Sequence, residues 1–131
     1  MKRYVLGVVT CGALVLTASP GLAHHFYPIA SATPISVTGT VVRFEMVNPH
    51  SRLLLEVRDA SGNVSTWELE LGSVLALRAR GWTRDAVRAG DVLTIEVFLG
   101  KDANTGSARY VDLPDGRRVF GGSHAGDYGR R

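Results

Sequence analysis

Thr66-Trp67-Glu68-Leu69-Glu70-Leu71 runs directly into Gly72-Ser73-Val74-Leu75-Ala76-Leu77-Arg78-Ala79-Arg80-Gly81, and the change of period between these two stretches decides the fold. In the first, apolar Trp67, Leu69 and Leu71 alternate with Thr66, Glu68 and Glu70, the period of a half-buried strand. In the second, Ser73 is a helix N-cap, Val74 to Leu77 are apolar, and Arg78 and Arg80 stand at the negative end of the helix dipole. Gly81 fits the left-handed position that stops a helix. A short helix is therefore set into a chain of strands.

Upstream, Asp59-Ala60-Ser61-Gly62-Asn63 reads as a hairpin loop, and before it Leu53, Leu55 and Val57 alternate with Arg52, Leu54, Glu56 and Arg58. Asn48-Pro49-His50 interrupts the pattern and turns the chain. Val37 to Val47 is β-rich, but its parity changes: Val37 and Val41 share one face, whereas Val42, Phe44 and Met46 share the other. A bulge near Gly39 to Val42 accounts for that shift, as in a strand curling around a barrel. Downstream, Thr83 to Arg88 suits one further helical turn, and Leu93, Ile95, Val97 and Leu99 alternate with Thr94 and Glu96 in a fourth strand. Gly100 to Ser107 reads as a polar loop and Arg109 to Leu113 as a fifth strand. Pro114-Asp115-Gly116 then turns into an Arg118-Val119-Phe120 extension.

Three strands, a helix and two strands predict an all-β protein with one short helix, a five-stranded OB-like Greek-key barrel. A β-sandwich would want more strands and no internal helix. Leu55, Trp67, Leu69, Ile95, Val97 and Val111 are expected to share the core, with Glu56, Glu68 and Glu96 facing outward. Trp82 is expected to pin the helix end to the barrel.

The amino-terminal segment fixes an expected address. Lys2 and Arg3 precede an uncharged, mostly apolar run from Tyr4 to Thr17, and Ser19-Pro20-Gly21-Leu22-Ala23 supplies small residues for a signal peptidase. The run is shorter than the roughly 20 residues that span a bilayer. Cleavage after Ala23 predicts a periplasmic protein with no stable membrane anchor. The expected organisation is a signal peptide over 1–23, an extended arm over 24–34, the barrel over 35–120 and a Gly-rich tail over 121–131. Cleavage leaves 108 residues, enough for one domain, and removes Cys11, the only cysteine. Losing Lys2 and Arg3 lowers 15 basic residues to 13 against 12 acidic ones, a balance that argues against a nucleic-acid partner.

Four histidines are present: His24, His25, His50 and His124. Cleavage would place His24-His25 at a free amine, and an amine with its own imidazole can chelate copper, in a manner that resembles a histidine brace. His50, in the loop between the first two strands, could supply the further imidazole if the arm folds back. Such nitrogen donors suit Cu(II). The plainer reading is a polar, flexible end, a turn at Asn48-Pro49-His50 with its imidazole in solvent, and His124 in an unstructured tail. No HxxxH or CxxC spacing is present. Glu68 and Glu70 share one side of the third strand about 6.5–7 Å apart, a spacing open to acid/base work. Beside Arg52 or Arg58 they read instead as an ordinary charged surface. Gly121-Gly122-Ser123-His124-Ala125 lacks the closing glycine of a nucleophile elbow, and Gly100-Lys101 lacks the glycine spacing of a phosphate loop.

Gly39-Thr40-Val41, Asn48-Pro49-His50, Gly81-Trp82-Thr83-Arg84-Asp85, Gly90-Asp91 and Leu113-Pro114-Asp115-Gly116-Arg117, in that order, give nearly the whole processed chain a family likeness. It resembles a bacterial domain-of-unknown-function family of small exported proteins that begin His-His after the signal peptide. The resemblance implies a periplasmic address and one domain, and brings no activity. The expected function is a non-catalytic binding module for a small ligand or an envelope protein. The competing reading is copper handling through His24, His25 and His50.

Overall fold

The structure, a computed structural model, describes residues 29–122. The expected signal peptide, His24, His25 and His124 lie outside them. Six strands and one helix follow in the order β1 (Ile35–Glu45), β2 (Arg52–Arg58), β3 (Val64–Glu70), α1 (Val74–Ala79), β4 (Val92–Leu99), β5 (Thr105–Asp112) and β6 (Arg118–Phe120). Antiparallel pairing links β3 to β2, β2 to β1, β1 to β4 and β4 to β5. A parallel pairing of β3 with β5 then closes a five-stranded barrel, and β6 extends β5 as an added strand. This is the predicted small barrel with its helix between the third and fourth strands.

Alternation buries one side of every wall. Leu53, Leu55, Leu69, Ile95, Val97 and Val111 are completely buried in one core with Val37 and Val41. Trp67 has the expected parity but is half-buried, packing against the core while its indole N–H donates to Ser65 Oγ at 3.1 Å. Ser73 caps α1 as predicted, accepting from the Ala76 N–H at 3.2 Å, and Gly81 turns the chain with φ +86°. Leu77 is the buried residue of the helix, whereas Leu75 is 79% exposed. Trp82 closes the barrel end: it is buried, its ring centroid lies 5.4 Å from that of Phe44, and its N–H donates to Phe120 O at 3.0 Å.

Three expectations are corrected. The bulge lies in the predicted place, with the β1–β2 register shifting between Val41 and Arg43. Val42, however, does not join Phe44 and Met46 inside: as the residue the bulge leaves without a ladder partner, it is 44% exposed. Thr83 to Arg88 forms turns instead of a helical turn, with Thr83 Oγ1 donating to Asp85 Oδ1 at 2.7 Å. The polar loop ends at Asn104, because Thr105 to Ala108 already belong to β5. Gly106 permits this, since a Cβ there would lie 2.7 Å from Phe98 O and collide with the Val97 side chain.

Candidate functional site

The loop from Met46 to Ser51 crosses the rim of the barrel and is held from three directions. Arg84 Nη1 donates to Met46 O at 2.9 Å, and the Val74 N–H donates to Asn48 Oδ1 at 3.0 Å. Asn48 thereby satisfies one of the open amides at the start of α1. Ser51 is buried: its N–H donates to Gly72 O, its carbonyl accepts from Leu71, and its hydroxyl donates to Val47 O. A loop tied down in this way presents His50 at a fixed place.

His50 does not stand free in solvent. Its Nδ1 meets Glu70 Oε1 at the end of β3, while the imidazole as a whole stays 42% exposed. Arg52 stands directly opposite Glu70 in the β2–β3 ladder, yet its guanidinium turns to Glu68 at 3.6 Å. The two carboxylates therefore share a strand face but serve different bases. Arg58, the other expected neighbour, donates to Gly62 O at 2.8 Å. The contact between His50 and Glu70 was missed in the sequence, although counting back along the ladder from the 59–63 hairpin sets Glu70 opposite Arg52, two residues from His50.

Ile29 is the described residue nearest His24 and His25, and it forms a bridge with Gly100; the Ala30 N–H donates to Leu99 O at 2.7 Å. Gly100 in turn donates to Thr105 O, and Thr105 is the parallel partner of Glu68. Among the described residues, no three histidine, cysteine or acidic side chains come together to hold a metal ion.

A second charged patch covers β4, β5 and β6. Glu96 accepts from Arg109 at 3.4 Å and from Arg118, which also reaches Asp112 at 3.4 Å. Both guanidiniums lie 5.2 Å from the Tyr110 ring centroid, and Phe120 meets that ring edge-on at 5.5 Å.

The sequence profile of one family, described as a family of unknown function (DUF6152), matches residues 13–109. The chain belongs to that family. The DUF6152 match takes in His24, His25, His50 and Glu70 and ends before Leu113. No curated protein and no solved structure matches the chain. Residues of the motifs behind the resemblance hold the fold together: Arg84 pins the β1–β2 loop, and Arg117, beyond the matched residues, bonds Asp115 and donates to Gly81 O.

Proposed function

We propose that the protein is a non-catalytic binding module of the periplasm, whose ligand face is the outer side of β2 and β3 at the His50 end. The observation that carries this reading is the half-exposed His50 imidazole, fixed by a tied loop on one side and Glu70 on the other. Barrels of this class take ligands on this face, between the β1–β2 and β4–β5 loops. Glu68 and Glu70 are engaged by Arg52 and His50 respectively, so the two do not act as a free carboxylate pair.

The second reading is copper handling, favoured by the exposed His50 imidazole, one nitrogen of which is engaged by Glu70. His24, through its amine and imidazole, and His25 bring nitrogen donors from one end, and His50 offers the imidazole at the other. Export is integral to this reading, because only cleavage after Ala23 frees the amine.

Native mass spectrometry of protein recovered from the periplasm tests both readings. An organic adduct lost in His50→Ala supports a small-ligand module, and a copper adduct lost in the same variant supports copper handling. Wild-type protein that carries no adduct and takes up no added Cu(II) would contradict both.

A further inference from the structure

We infer that Glu70 is a positioning residue that fixes the tautomer of His50, so that Nε2 is the nitrogen offered to a transition-metal ion. The inference deepens the copper reading and rests on it for what the nitrogen takes. A carboxylate can only accept hydrogen bonds, so a neutral His50 ring that meets Glu70 through Nδ1 carries its proton there. The lone pair then belongs to Nε2. Among the described residues Nε2 has no protein partner, and the ring is 42% exposed.

Neighbouring charges reinforce the assignment. Arg52 is the residue closest in register to Glu70 and could have neutralised it, but it pairs with Glu68 and leaves Glu70 to the imidazole. Glu70 is the more enclosed of the two carboxylates, its side chain 21% exposed against 53% for Glu68. The ring is also placed from its backbone side, through Asn48 and Ser51. A carboxylate on one ring nitrogen with the metal on the other is the usual arrangement at histidine metal sites, where it sets the tautomer and raises ligand basicity. A lone imidazole nitrogen of this kind suits Cu(II), Ni(II) or Zn(II) and not Mg(II) or Ca(II), which take oxygen.

Long-range 1H–15N correlation spectra of metal-free residues 24–131, at a pH alkaline enough for neutral rings, read the tautomer directly. Wild-type His50 is expected to show a protonated Nδ1 and a lone pair on Nε2. Glu70→Ala should move the proton toward Nε2, and Glu70→Gln, whose amide oxygen still accepts, should restore the wild-type pattern. Cu(II) affinity should follow, falling tenfold or more in Glu70→Ala, the range expected for loss of an orienting partner. A wild-type His50 protonated on Nε2 overturns the inference without reference to any variant. If Nδ1 carries the proton but His50→Ala binds Cu(II) as tightly as wild type, the copper reading fails and the metal assignment of Nε2 falls with it.

Discussion

On the β4–β5–β6 wall a single carboxylate, Glu96, accepts from two arginines that also bracket Tyr110, whereas on the β2–β3 wall Glu70 meets one imidazole and Arg52 is drawn away to Glu68. The chemistry of the two patches is similar, but they differ in what each leaves over. Around Glu96 the arginines are shared between carboxylates, Arg118 also reaching Asp112, and they stack on aromatic rings, so the charges lock the β6 extension against β5. At His50 one ring nitrogen is engaged and the other has no partner among the described residues, on a side chain that is 42% exposed. The first arrangement closes a piece of scaffold. The second, in the reading proposed here, prepares a donor.

The largest effect should be shared by both walls, because the same core lies beneath them. Leu69 sits between Glu68 and Glu70, and Ile95 precedes Glu96; both are completely buried. Each truncation to Ala should cost about 2–5 kcal/mol in urea unfolding. A cost below about 1 kcal/mol at either position would show that the two walls do not share one close-packed interior.

Charge removal should then separate the walls. Glu96→Gln removes the carboxylate that Arg109 and Arg118 share, and partly exposed pairs of this kind are worth about 0.2–1 kcal/mol each. Its stability loss should reach about 1 kcal/mol, with ligand uptake unchanged. Glu70→Gln, whose amide oxygen still accepts from the imidazole, should stay within about 0.5 kcal/mol of wild type. Equal losses of stability at the two sites would erase the contrast.

The smallest effect lies outside both patches, in the turns. Asp59 is held below the usual carboxylate range by the Asn63 side chain and then by backbone N–H groups of the hairpin. Asp115 is lowered by the Arg117 N–H and side chain. A carboxyl whose folded-state pKa is depressed contributes stability above its unfolded pKa and loses it as pH falls through the folded value. Acid unfolding should therefore be slightly less steep in Asp59→Asn than in wild type, as read from melting temperature between neutral pH and the acid limb. A steeper acid limb in that variant would reverse the sign.

The barrel was legible because turns and alternation state it locally: Ser73 and Gly81 bracket the helix, and the parity change at Val41 and Val42 announces the bulge. Thr105 to Ala108 were not legible as strand. Their small residues read as loop, and only the close approach of β4 explains why Gly106 stands there. At the candidate site, His50 could be named from its type and its loop, but its partner could not be read from composition. The contact depends on register across β2 and β3, and on Arg52 choosing Glu68.

Copper uptake by the processed chain tests most directly whether His50 marks the working wall. Cu(II) should be titrated calorimetrically into residues 24–131, His50→Ala, Glu96→Gln and a form with one residue added before His24. The account predicts at least tenfold weaker binding in His50→Ala, weaker binding still in the extended form, which has lost the amine–imidazole chelate, and no change in Glu96→Gln. Identical isotherms for wild type, His50→Ala and the extended form would contradict it.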